Sequence, residues 1–295
     1  MASVSLTKKI LDLKNQGLSQ RKIANKVGLS KSGVQYRLSK TTEQETALVF
    51  NDLHFRFQDN KAIELCLKAG DALDPDYIFI NGDLIDNWEI SKFHKSSKMR
   101  SKAALSKELE DARKFLTKLR ARFPEAVIYF LGGNHEYRWD VFIESHAKEL
   151  IGLRGLSLEE QLDLGKLDIK WVYRGLKESS FLWGKLLIGH FDRVSKHSSM
   201  TAKLLVEDKG ISLIQAHCHR GGMFYKRIYD RMLVGVENFC LCDLDPPYID
   251  RPNWGHGFSV VYKCKNSDLF SVSPHPIIKV GSRYRVMFEG NILEV

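Results

Sequence analysis

Five short motifs stand in a fixed order along this 295-residue chain. They are Asp52-Leu53-His54, Gly82-Asp83-Leu84-Ile85-Asp86, Gly133-Asn134-His135-Glu136, Gly189-His190 and His217-Cys218-His219. Each sits just after a short apolar run that reads as a β-strand. Together they offer seven side chains of metal-ligating type, Asp52, His54, Asp83, Asn134, His190, His217 and His219, and one spare histidine, His135. Carboxylates and imidazoles in these numbers suit two divalent ions acting together on a phosphoester.

The elements that must position these side chains are legible around them. Residues 47–50, 77–80, 126–131, 186–188 and 211–214 read as buried strands, and the segments 60–69, 103–121 and 138–150 read as helices. Strands alternating with helices predict an α/β core with the motifs at strand ends, where such folds place their sites. Asp52 and His54, alternate residues on extended chain, point the same way and can reach one ion. Gly82 lets the chain turn tightly while Asp83 projects from the strand edge. His197 competes with His190 for the lone-histidine position; His190 is preferred because it follows a strand. Ala216, before His217, is harmless at negative φ and awkward at positive φ.

The five motifs taken together resemble the calcineurin-like metallophosphoesterases, whose pattern is Asp-x-His, Gly-Asp-x-x-Asp, Gly-Asn-His-(Asp/Glu), a lone His and Gly-His-x-His. One motif alone is weak, but five in order are specific. The resemblance covers roughly residues 45–265. It implies an αββα sandwich, in which a second sheet packs on the first with helices outside. It implies one ion on Asp52, His54, Asp83 and His219, and a second on Asp83, Asn134, His190 and His217. Asp83 then bridges the two, and His135 is left to protonate the leaving oxygen or stabilise the transition state. The mixed nitrogen and oxygen set suits Mn²⁺ best, then Fe, Zn²⁺ or Mg²⁺, rather than Ca²⁺. Asp86 and Glu136 are candidates to orient ligand histidines or else ordinary surface acids.

Charge divides the chain unequally. Residues 1–40 carry nine Lys/Arg against the single acid Asp12, whereas the rest carries 36 Lys/Arg against 35 Asp/Glu. Nearly all of the net +9 therefore lies in the head, which points to a polyanionic partner. The head reads as three short helices, with Ser19 and Ser30 as N-caps and Gly28 as a turn. Residues 18–38 resemble the helix-turn-helix of resolvases and bacterial regulators. That resemblance puts the third helix in the major groove, with Ser32, Gln35 and Arg37 at base edges and Lys22, Lys26 and Lys31 at phosphates. A helix-turn-helix fused to such a hydrolase resembles phage or prophage proteins. The domain reading is a DNA-binding head at 1–40, a polar linker at 41–46 and the hydrolase domain at 47–295.

A basic segment at 91–102, including Lys92 and Lys95, follows the second motif and is expected to rim the site, where it suits a nucleic-acid backbone. Arg138, just past the third motif, is placed to hold a phosphate. Strand-like runs continue at 223–229, 238–242, 257–262, 269–272 and 284–288. Five cysteines without a CxxC pair argue for buried free thiols rather than a disulfide framework. No apolar run approaches a membrane span, and no signal-peptide core opens the chain, so a cytoplasmic protein is expected (in the host cell, for a phage-encoded chain). The leading reading is a two-metal DNA phosphodiesterase targeted by its head. The alternatives are a phosphomonoesterase on nucleotides or phosphoproteins, and a DNA-binding regulator with an inert hydrolase-like domain. The oligomeric state is open, although a homodimer would suit a helix-turn-helix.

Overall fold

A computed structural model of the chain describes residues 6–92, 104–175, 178–246, 249 and 252–295. The head folds as α1 (Leu6–Asn15), α2 (Gln20–Val27) and α3 (Lys31–Glu43). Both caps form as their residue types require. Ser19 Oγ accepts from the Lys22 N–H and Ser30 Oγ from the Gly33 N–H, while Gly28, at φ +71°, ends α2. Ile10, Ile23, Ala24 and Val34 close a small core among the three helices. The polar linker expected at 41–46 is not a separate segment. Helix α3 runs on to Glu43, and β1 (Gln44–Phe50) starts at the next residue.

The chain continues through α4 (Asn60–Leu73), β2 (Tyr77–Asn81), α5 (Ala104–Arg122), β3 (Val127–Leu131) and α6 (Asn134–His146). Then come α7 (Leu158–Gln161), β4 (Ile169–Val172), β5 (Ser180–Trp183), β6 (Leu186–Gly189), α8 (Met200–Lys209) and β7 (Ser212–Gln215). The last third is β8 (Gly221–Ile228), β9 (Arg231–Asn238), β10 (Gly257–Cys264), β11 (Phe270–Pro276), β12 (Ile278–Val280), β13 (Arg283–Phe288) and β14 (Asn291–Glu294). The strand expected at 238–242 lies earlier, as β9. Cys240 and Cys242 make only isolated bridges.

One sheet has the order β11-β10-β1-β2-β3-β4, a second the order β5-β6-β7-β9-β8, and a small third sheet the order β12-β13-β14. The two large sheets face each other. Ala47, Val49, Phe79 and Leu131 from the first pack against Trp183, Leu186, Ile188, Ile214 and Val236 from the second. Outside the first sheet, α4, α5 and the small sheet cover Leu48, Phe50, Ile78, Ile80 and Phe130. Outside the second, Leu205 and Val206 of α8 cover Leu213 and Leu233. These layers are the expected αββα sandwich. Strands buried on both faces explain why their sequences are continuous apolar runs rather than alternating ones.

Pairing direction matters most for the site. Strands β1, β2 and β3 run parallel, as do β6 and β7. The five motifs therefore emerge at the C-terminal ends of five parallel strands in two facing sheets. Asn81 Nδ2 donates to Gly189 O at 3.1 Å and Asn238 Nδ2 to Val49 O at 3.1 Å, tying the sheets together beside those ends. Among the described residues, no helix is long and apolar enough to cross a membrane.

Candidate metal centre

All seven ligand-type residues converge at this edge. Asp52, His54, Asp83, His190 and His219 are buried, and Asn134 and His217 are partly so. His219 Nε2 lies 3.1 Å from Asp52 Oδ1 and 3.2 Å from His54 Nε2. His190 Nε2 lies 3.2 Å from Asp83 Oδ2 and 3.1 Å from Asn134 Oδ1. Ligand atoms of Asp83, His190 and His217 lie within 4.8 Å of one another, as do those of His54, Asp83 and His135. His197, the competitor of His190, is exposed.

The backbone at the ligands is not extended. Asp52 (φ +52°), His54 (+46°), Asp83 (+50°), His217 (+70°) and His219 (+56°) all occupy the left-handed region. Each such residue costs about 1 kcal/mol or more and persists only where its surroundings dictate it. Here the Asp52 and His54 N–H groups donate to Gly82 O and Asp83 O, both at 3.0 Å, so the two strand ends hold each other beyond the sheet. Ala216 is not among the positive-φ residues, so its Cβ meets no strain. Two glycines make room. A Cβ on Gly82 would lie 2.3 Å from His190 Nδ1, and one on Gly133 would lie 2.1 Å from Asp83 Oδ1.

Outer partners fix the tautomers. His54 Nδ1 meets Asp86 Oδ2 at 3.0 Å, and His190 Nδ1 meets Asn81 O at 2.9 Å. The ring proton belongs on Nδ1 in both, leaving the Nε2 lone pair facing inward for an ion. His219 Nδ1 instead meets the buried thiol of Cys242 at 3.7 Å. Asp86 and Glu136 are buried and hydrogen-bonded at the site rather than surface acids. The Glu136 carboxylate accepts from the Asp83, Ile85 and Gly133 N–H groups and so clamps the second and third motifs together.

Charge is concentrated to match. Burial raises the Asp52 carboxyl, but His219, His54 and His190 hold it well below the usual carboxylate range. Burial likewise opposes ionised Asp83, yet His135, His190 and His54 hold it low. Burial disfavours charged His190, but the Asp83 carboxylate pushes it up to about 9. Burial and the charge of His190 push His217 down to about 4. Among the ligand-type side chains described, Asp83 Oδ2 is a buried oxygen with no hydrogen bond, while His54, His135 and His190 all face it. A buried oxygen with no hydrogen bond, ringed by imidazole Nε2 atoms, fits a cation that takes the place of the imidazole proton and is shared between two ligand groups.

The family model for calcineurin-like phosphoesterases matches residues 46–240, which hold every one of these ligands. The chain belongs to that family. Residues 7–40 of this phosphoesterase match a winged helix-turn-helix DNA-binding model, and within them the structure has three helices and no strand. Similar solved structures include vacuolar protein sorting 29 from Cryptosporidium parvum, at 11% identity, covering 86% of this chain and 98% of that one, with a TM-score of 0.41. Vps29 from Chaetomium thermophilum is 12% identical, covers 85% and 93%, and has a TM-score of 0.39. Yfce, a phosphoesterase from E. coli, is 9% identical, covers 85% and 98%, and has a TM-score of 0.35. No curated protein matches the chain.

Of the residues expected at DNA, Lys22, Lys26, Lys31 and Gln35 are exposed on the head, and Lys92 is exposed past the second motif. The Ser32 side chain and Lys95 lie outside the described residues. Arg37 is a correction. It is 1% exposed and so is not available to a base edge. Its Nη2 donates to Asp71 O at 3.2 Å and to Ala72 O, and its Nη1 pairs with Asp74 at 3.2 Å. It fastens the head to the end of α4. Sequence reasoning also missed Glu108, whose carboxylate accepts from the Asp86 and Asn87 N–H groups, both at 2.7 Å. Its signal was a lone acid on the apolar face of α5, one turn before Ala112. Cys242 was missed as a partner of His219, and no spacing rule would have found it.

Proposed function

We propose that this phosphoesterase is a dinuclear metal-dependent phosphodiesterase acting on DNA, with the basic head as its targeting module. One observation carries the reading. A complete inward-facing ligand set, with Asp83 Oδ2 left for an ion, stands in the same chain as a head that exposes Lys22, Lys26, Lys31 and Gln35. Asp52, His54, Asp83 and His219 would hold one ion, and Asp83, Asn134, His190 and His217 the other. When bound, the pair supplies an activated water and charge neutralisation at phosphorus. The chain's own residues do the rest. Asp86 and Asn81 hold the ligand imidazoles in the right tautomer. Glu136 keeps Asp83 in register with Asn134. His135, whose Nε2 lies 3.8 Å from Asp83 Oδ2, stands beside the place where a leaving oxygen departs.

The test is cleavage of supercoiled plasmid and linear duplex with Mn²⁺ by the full chain, by Asp83→Ala, and by the triple change Lys22→Glu, Lys26→Glu, Lys31→Glu. Charge reversal replaces deletion of the head because Arg37 anchors the head to the core. Cutting that vanishes in Asp83→Ala and weakens at least about tenfold in the triple variant supports the reading. An intact protein that cuts no DNA yet hydrolyses small phosphomonoesters would sink it and favour the monoesterase.

A further inference from the structure

Arg138 lies one turn along α6 from Asn134, and its side chain is 18% exposed at the site. Its Nη1 donates to Asp86 O at 2.9 Å, and its Nη2 donates to His135 Nε2 at 2.8 Å. A guanidinium only donates, so His135 Nε2 must accept. The His135 ring proton is then on Nδ1, which lies 2.8 Å from Asp86 O. That same Nε2 is 3.8 Å from Asp83 Oδ2, the oxygen on which the ligand set converges. The guanidinium thus sits one imidazole edge from the centre and covers the atom of His135 that a leaving group would need.

Deepening the phosphodiesterase reading above and resting on it, we propose that Arg138 is a substrate-binding residue whose guanidinium exchanges His135 Nε2 for a non-bridging oxygen of the scissile phosphate. The chemistry favours that exchange. An anionic phosphoryl oxygen is a stronger partner for a guanidinium than a neutral imidazole nitrogen, and the planar fork suits it. The Nη1 contact to Asp86 O keeps the side chain on the rim while Nη2 changes partner. Asp86 Oδ1, 3.8 Å from Nη1, holds the charge in place. Once Nη2 has moved, the bare His135 Nε2 can take a proton from solvent and pass it to the leaving oxygen as the P–O bond breaks. Substrate therefore clears its own path to His135, and an empty site keeps that nitrogen covered.

The experiment compares the full-length Mn²⁺-loaded wild type with Arg138→Ala, Arg138→Lys and Arg138→Gln. It measures hydrolysis of bis(p-nitrophenyl) phosphate, with and without added guanidinium chloride, and calorimetric binding of orthophosphate and of Mn²⁺. Loss of a charge-assisted hydrogen bond predicts a fall in kcat/KM of about 10- to 100-fold in Arg138→Ala. Guanidinium should recover part of it, lysine should fall less than alanine or glutamine, and orthophosphate should bind about tenfold more weakly at unchanged Mn²⁺ affinity. If Arg138→Ala keeps both kcat/KM and phosphate affinity within about twofold, the inference fails. It fails equally if phosphate and Mn²⁺ affinity drop together without rescue, because Arg138 would then be a structural prop. A wild type inert towards every phosphodiester would overturn the phosphodiesterase reading instead, and the phosphate calorimetry would still decide Arg138.

Discussion

Ligand residues in this centre are held by partners that differ in chemistry. His54 and His190 have an oxygen behind them, while His219 has the Cys242 thiol. A thiol is a weaker acceptor than a carboxylate or carbonyl, so the ion proposed on Asp52, His54, Asp83 and His219 should be the looser of the two. Replacing Cys242 with alanine should weaken one of two Mn²⁺ binding steps about tenfold, with serine restoring most of it; equal affinities in all three proteins would show that the thiol only fills space. The protons have a consequence as well. In the metal-free protein, His190 is pushed from its ordinary 6.5 up to about 9 by Asp83 against its own burial, and burial raises Glu136 to about 7 and Glu108 to about 8. Each holds its proton longer when folded. The stability they contribute is complete below their unfolded values and is lost as pH rises through about 7, 8 and 9 in turn. Metal-free protein should therefore melt at progressively lower temperature from pH 5 to 9, whereas Mn²⁺ affinity should rise over the same range as His190 deprotonates. A flat melting profile without metal would contradict the assignment.

At the scale of elements, the centre is set by how closely strand ends and helix starts approach one another. Gly133 lets β3 turn into α6 directly against Asp83, where a Cβ would lie 2.1 Å from Oδ1. Gly133→Ala is expected to keep the fold and lose most Mn²⁺ binding, as read by circular dichroism beside calorimetry; full metal affinity in the variant would mean that the turn relaxes. Helix α3 illustrates a different constraint. Its face is divided between Lys31 and Gln35, which are exposed, and Arg37, which is buried on α4. Removing a buried guanidinium with several acceptors costs about 1–3 kcal/mol. Arg37→Ala should lower the denaturation midpoint accordingly and leave DNA affinity within about twofold once folded. A base-reading arginine would give the opposite pattern, with affinity lost and stability kept.

Across the whole molecule, the head and the metal centre occupy opposite ends of the same strand. Helix α3 enters β1 at Gln44, and Arg37 docks on the end of α4 that leads into the start of β2, while Asp52 and Asp83 lie past the far ends of those strands. Seven residues of strand span about 23 Å, or roughly seven base pairs at 3.4 Å each. A straight duplex seated on the exposed face of the head would not lie in the metal centre of the same molecule. For the proposed nuclease, cuts should map at least about seven base pairs outside the protected footprint, or fall on a second DNA molecule. Cuts within the footprint would require a bent duplex and would argue against this layout.

How far the sequence reached depends on whether a property is local. Strand-then-motif order, the ligand types and the serine caps are local, because apolar runs and hydroxyl caps act over a few residues wherever they stand. That was enough for an α/β core and for the seven ligand-type residues gathered at the strand ends, while the αββα layers came from the family resemblance that the five motifs carry. It was not enough for Arg37, whose type and position suit a recognition helix until α4 covers it. Nor was it enough for β9, α8, β12 or β14, whose segments lack strong periodicity. The left-handed turns at five ligands, the clamp of Glu136 across two motifs, the Glu108 support and the thiol behind His219 all join residues far apart in the chain. Only the closed sandwich decides them, because they arise from which strand ends are brought face to face.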